Sequence, residues 1–196
     1  MESLFDIQTL ITNYGYIGIF VIVFLESGIF FALPGDSLLF TAGILASTGY
    51  LNVFQLIPLV FIATFFGSIA GYYVGVYIEK LRKFQFFNKI LKKEHLDKTH
   101  VFLEKYGIPA IILSRFVPIV RTFMPIVAGV AHMNFKKYLK YNLAGSVLWS
   151  VSVTLVGFFL GKAIPNIKDH LHWLVIVVVI ISVLPMVFSF LKKKKS

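Results

Sequence analysis

The sequence predicts an all-α integral membrane protein. Its plan is two inverted repeats, each a re-entrant hairpin plus a transmembrane helix, with one extra C-terminal transmembrane helix. Three observations lead there. Residues are 58% hydrophobic and only 14% charged, with a mean hydropathy of +0.83, where soluble domains carry roughly a quarter charged residues. The bases are lopsided: no Lys or Arg precedes Lys80, and they then cluster at 80–105, at Lys136, Lys137 and Lys140, and at 192–195. Finally, two of the apolar stretches are broken by proline and contain charge, at 14–48 and 106–131.

Residues 1–13 place Leu4, Phe5, Ile7, Leu10 and Ile11 roughly on one face, the pattern of an interfacial helix. Segment 14–48 is interrupted at Pro34-Gly35 and reads as the first hairpin. An alternative stays open, because residues 14–31 nearly reach spanning length, which would put the N-terminus in the cytoplasm. Residues 53–78 exceed the roughly 20 that cross a bilayer. Segment 79–105 carries eight bases and four acids among apolar residues such as Phe86, Phe87, Ile90 and Leu91, and reads as cytoplasmic amphipathic helix on the membrane surface. Segment 106–131 contains Pro109, Pro118 and Pro125, and segments 138–161 and 171–191 are spans.

Placing every basic cluster, including the tail 192–196, in the cytoplasm follows the positive-inside rule. Segment 106–131 must then enter and leave on one side, which makes it the second hairpin. The C-terminus is cytoplasmic in this scheme, and the whole of 14–191 is one membrane domain.

The chain has no cysteine, which excludes disulfides, thiolate metal sites, iron–sulfur clusters and cysteine nucleophiles. Its start, MESLFDIQTL, lacks a positive n-region, so no cleaved signal is expected. The net charge of +10 reads as topology determinants beside apolar segments rather than as a nucleic-acid footprint.

The broken segments resemble each other. Each opens with Tyr-Gly (Tyr14-Gly15, Tyr106-Gly107), contains a charged residue followed by proline, and reaches Ala-Gly (Ala42-Gly43, Ala128-Gly129). Each precedes a span with a small face: Gly67, Gly71 and Gly75 in one, Gly157 and Gly161 in the other.

Charges inside a membrane cost several kcal/mol and normally face an interior or a cavity. Here the signs segregate, with Glu26 and Asp36 in the first hairpin and Arg115 and Arg121 in the second. Hairpins that face each other would bring carboxylates to guanidiniums. The plainest reading is a pair of structural salt bridges. The functional one makes Arg115 and Arg121 the head-group site of an anion, since the planar guanidinium fork suits phosphate. Glu26 and Asp36 would then be the proton-coupling groups, neutralising the arginines without the anion and taking up a proton as it leaves. Pro34, Gly35, Pro118, Pro125 and Gly129 shape the hairpins, and helix starts after Gly35 and after Pro118 or Pro125 offer backbone N–H donors. Asn142 and Ser114 read as structural support more than substrate contacts.

At these residues the chain resembles the DedA family, also called the SNARE-associated or VTT-domain family. The resemblance covers about residues 14–161. It rests on Glu26 with 34-PGD-36, on 67-GSIAGYYVG-75, and on 114-SRFVPIVRTFMPIVAG-129, followed by Met133, Phe135, Tyr138, Asn142, Gly145 and Trp149. It implies two facing re-entrant hairpins and movement of phospholipid-like anions across a membrane. Bacterial relatives are implicated in proton-motive-force-dependent recycling of undecaprenyl phosphate and in resistance to cationic peptides and alkaline stress; eukaryotic relatives behave as scramblases. The family's acids match Glu26 and Asp36, and its arginines match Arg115 and Arg121.

The expected function is therefore transport of an anionic lipid phosphate across a bacterial plasma membrane, coupled to protons. A proton-coupled small-ion antiporter and an uncoupled phospholipid scramblase are the alternatives. Enzymatic activity, metal and cofactor are not expected. His95, His100, His132 and the 170-HLH-172 pair fall in loops or at a hairpin end, short of a full ligand set.

Overall fold

A computed structural model describes residues 7–28, 35–77 and 93–164, which are helical with short connections and contain no strand. The expected turn at 29–34 with Pro34, the stretch 79–92, the span 171–191 and the tail 192–196 lie outside the described residues. Seven helices carry the description: α1 (Ile7–Gly28), α2 (Gly35–Ser47), α3 (Val53–Val76), α4 (Lys93–Tyr106), α5 (Ala110–Leu113), α6 (Pro118–Val130) and α7 (Phe135–Ala163). A 3₁₀ turn, Ser114–Phe116, joins α5 to α6.

Length and hydropathy together separate α3 and α7 from the short α2 and α6. At about 1.5 Å per residue, the 24 residues of α3 and 29 of α7 exceed the roughly 30 Å of hydrocarbon, and both are apolar enough to cross it. The 13 residues each of α2 and α6 reach only about 20 Å. α1 is continuous over 22 residues, so residues 7–13 run on into 14–28 without a break at residue 14.

Local chemistry sets these boundaries. Asn52 accepts the Phe54 N–H at 2.8 Å on its side-chain oxygen, and Asn134 accepts the Lys137 N–H at 3.2 Å; both cap the long helices α3 and α7 at their first turns. α6 starts at Pro118 behind extended Val117 (φ −117°, ψ 104°), because the residue before proline avoids helical geometry and proline needs no donor at a helix start. α2 and α6 end alike. Behind α2, Gly49 takes φ +91° while Tyr50 N–H bonds Leu45 O at 3.1 Å; behind α6, His132 takes φ +49° while Met133 N–H bonds Ala128 O at 3.0 Å. Both are left-handed closures that satisfy the last carbonyls.

The chain falls into two compact units. Of the described residues, one comprises 7–19, 35–59 and 152–164. Within it, α2 lies against α7 with no room for side chains. A Cβ on Gly43 would stand 2.6 Å from Thr154 O, and one on Gly157 would stand 2.4 Å from Phe40 O. Tyr16 Oη accepts the Asn52 N–H at 2.8 Å, tying α1 to the start of α3.

The other unit comprises, of the described residues, 20–28, 60–77 and 93–151. Its core joins Tyr72, Ala110, Ile111, Val120, Met124, Ala128 and Tyr138, from α3, α5, α6 and α7. Tyr72 and Tyr138 stack with ring centroids 4.8 Å apart. The glycine face of α3 serves two neighbours. A Cβ on Gly67 would meet Phe24 O of α1 at 2.4 Å, and one on Gly75 would meet Ile126 O of α6 at 2.1 Å. Backbones this close gain dispersion and leave no void.

Candidate functional site

The site is built in the second unit, where α1, α3, the 3₁₀ turn, α6 and α7 bring polar groups together among apolar ones. Glu26 ends α1, two residues before the Gly28 contact with α3, and is only 6% exposed. Arg121 is one turn into α6 and 2% exposed. The Arg121 Nη2 to Glu26 Oε1 distance is 2.5 Å, a buried charge-assisted hydrogen bond. The guanidinium carbon also lies 4.7 Å from the ring centroid of buried Trp149, a cation–π contact from α7.

Arg115 has a different environment. It sits in the 3₁₀ turn and is 3% exposed. The two hydrogens of its Nη2 are shared among three acceptors, Ser68 Oγ at 2.8 Å, Ser146 Oγ at 3.0 Å and Asn142 Oδ1. Its Nη1 is buried with no hydrogen-bond partner among the described residues. Two of the three acceptors, Ser68 and Asn142, are themselves fixed. The Ser68 hydroxyl lies 2.9 Å from Thr64 O and 3.3 Å from Ser27 O. Asn142 Nδ2 donates to Phe65 O at 3.3 Å, and Tyr138 Oη donates to Ser68 O at 3.0 Å. Gly145 lets α7 approach, since a Cβ there would stand 3.3 Å from Arg115 Cγ and from Ile112 Cα.

The structure thus brings together Glu26, Arg121, Arg115 and Asn142 of the residues singled out in the sequence. Asp36 belongs to the first unit, half-buried in the opening turn of α2 next to Gly35, where a helix start favours negative charge. Pro118 opens α6, whereas Pro125 lies inside that helix and is buried against α3, 3.1 Å from where a Gly71 Cβ would stand. Of the two prolines considered as helix starts, Pro118 is the one. Gly129 seats α6 on α3, since its Cβ would fall 2.1 Å from Tyr72 O. Ser114 Oγ donates to Ile111 O at 2.8 Å, a local backbone bond.

Ser68, Ser146 and Tyr138 escaped the sequence reading as site residues. A signal existed for α7: Asn142, Ser146, Ser150 and Thr154 recur every fourth residue in an apolar helix, and all four are fully buried.

Two long apolar helices, one of them packed against a short buried segment that carries two arginines, define a helical membrane protein. Comparison with known sequences agrees. Residues 33–159 match the VTT domain, and the chain belongs to the VTT-domain (DedA) family. It is 43% identical over 198 residues to Protein DedA of Escherichia coli K12, covering 95% of this chain and 88% of the relative. It is 37% identical over 166 residues to an uncharacterized membrane protein of Mycobacterium leprae, covering 84% and 74%. It is 34% identical over 149 residues to the inner membrane protein YqjA of E. coli K12, covering 75% and 68%. No solved structure matches.

Proposed function

We propose that this protein moves an anionic lipid phosphate, undecaprenyl phosphate or a similar polyprenyl phosphate, across the bacterial plasma membrane in exchange with or alongside protons, and that it is a transporter rather than an enzyme. The observation that carries the reading is the buried pair of arginines, one whose Nη1 has no hydrogen-bond partner among the described residues and one held by a carboxylate. Buried cations at membrane depth mark anion pathways, and a phosphate offers the oxygens a guanidinium is shaped to hold. The polyprenyl tail stays in lipid while the head group travels past the arginines.

The Glu26–Arg121 contact suggests how protons enter. An anion can occupy Arg121 only when Glu26 lets go, and a carboxylate in such a place lets go most readily once protonated. Proton uptake then accompanies the anion's arrival at Arg121. This is the opposite order from the sequence expectation of uptake on its departure. Asp36 is the second proton-coupling candidate.

The architecture we propose is the inverted repeat of re-entrant hairpins. It is supported by the matching arms α2 and α6, each 13 residues, each closed by a left-handed residue and followed by an Asn-capped long helix. Each packs through its Ala-Gly pair on a glycine of a long helix: Gly43 on Gly157 of α7, and Gly129 on Gly75 of α3. Transporters commonly place their sites where interrupted segments of two such repeats meet. A cytoplasmic C-terminus belongs to the same reading.

A proton-coupled small-ion antiporter is disfavoured by the commitment of Glu26 to Arg121, since a cation would have to compete with a guanidinium. Transbilayer movement of a polyprenyl phosphate in liposomes, with and without an imposed pH gradient, tests the proposal. Arg121→Ala and Arg115→Ala, folded, are expected to abolish movement. Movement indifferent to the gradient would indicate an uncoupled scramblase, and normal transport by Arg121→Ala would overturn the head-group assignment.

A further inference from the structure

Building on the phosphate reading above, we propose that Arg115 is the seat on which the phosphoryl group lands first, and that Ser68, Asn142 and Ser146 form a neutral clamp that fixes its guanidinium without cancelling its charge. The two arginines are equally buried yet solvated by the protein in opposite ways. Arg121 has a carboxylate against it. Arg115 has three uncharged oxygens, all on Nη2, and no hydrogen-bond partner among the described residues on buried Nη1.

The clamp is oriented for that task. A donor amide facing the guanidinium would be repelled, and the Asn142 Nδ2 bond to Phe65 O turns Oδ1 toward Arg115. Ser68 can point its hydroxyl proton at Thr64 O or Ser27 O, which leaves a lone pair for the arginine. Such dipoles offset part of the desolvation of a buried cation but leave its full charge for an incoming anion. A carboxylate in their place would close the seat as Glu26 closes Arg121. Because Nη2 is committed, the anion meets Arg115 through Nη1 and not through the fork formed by the two terminal nitrogens.

Paired substitutions separate this role from packing. Asn142→Asp keeps an acceptor at the same position but adds a negative charge, and Asn142→Ala removes the acceptor without adding charge; Ser146→Asp and Ser146→Ala form a second pair should the first not fold. Full-length protein in detergent would be titrated with farnesyl phosphate and, separately, with inorganic phosphate, with folding checked by size exclusion and thermal melting. The clamp predicts that each aspartate variant binds about tenfold to a hundredfold more weakly than wild type, the scale of a lost charged hydrogen bond, and more weakly than its alanine counterpart. Binding of farnesyl phosphate alone would mean the lipid tail is part of recognition; binding of both would mean the phosphate suffices. In either case, aspartate variants that bind as well as the alanine variants, or better, overturn the clamp, because a merely structural acceptor is preserved by Asp and lost in Ala. Wild type that binds neither probe overturns the phosphate reading with it.

Discussion

Arg115 and Arg121 are six residues apart and almost equally buried, but one rests among neutral oxygens and the other against a carboxylate and an indole. A buried ion pair is a closed system: its desolvation is offset by mutual attraction, and removing one member leaves the other stranded. A buried cation among dipoles is an open one. It is tolerated because its neighbours can solvate it, and it retains attraction for anything negative. The contrast gives the two arginines separable signatures in stability and in transport.

The largest expected effect tests the closed member. Arg121→Met removes the guanidinium against buried Glu26 and should cost about 3–5 kcal/mol of unfolding free energy, read as a lowered melting temperature in detergent. Adding Glu26→Leu should recover most of the loss. A double variant no better than the single would mean the contact is not the source of the cost.

Arg115→Met should behave oppositely. It removes a buried charge that has no counter-ion among the described residues, so stability should stay within about 1 kcal/mol of wild type or rise, while the proposed transport stops. A drop as large as that of Arg121→Met would erase the distinction between the two sites.

Smaller effects sharpen the picture. Trp149→Leu removes the cation–π contact to Arg121 and should cost about 1–2 kcal/mol, without change at Arg115. Gly145→Ala sets a Cβ 3.3 Å from Arg115 Cγ, which a shift of a few tenths of an ångström relieves. It should leave the melting temperature nearly unchanged and weaken phosphate binding modestly by moving Arg115 within its clamp.

Much of this was legible in the sequence. Segregation of acids from arginines led to the expectation that facing hairpins bring Glu26 and Asp36 to guanidiniums; of the two, Glu26 lies against Arg121. Glycines at four-residue spacing foretold the close faces of α3 and α7, since only missing side chains let backbones meet at the distances seen at Gly67, Gly75 and Gly157. The neutral surroundings of Arg115 were not foretold. Serines are common in apolar helices, where each can satisfy its hydroxyl on its own backbone. Ser68 and Ser146 become distinctive only when α3, α7 and the 3₁₀ turn converge. Nor does a count of prolines tell a helix start from a helix interior: Pro118 follows an extended residue, while Pro125 is carried inside α6.

The most direct test of the central claim, that Glu26 governs access to Arg121 while Arg115 stays open, is the pH-gradient dependence of polyprenyl phosphate movement in liposomes containing wild type, Glu26→Gln or Arg115→Ala. The account predicts gradient-dependent movement for wild type, gradient-insensitive movement for Glu26→Gln, whose side chain is permanently neutral, and none for Arg115→Ala. Wild-type gradient dependence in Glu26→Gln, or wild-type movement in Arg115→Ala, would contradict it.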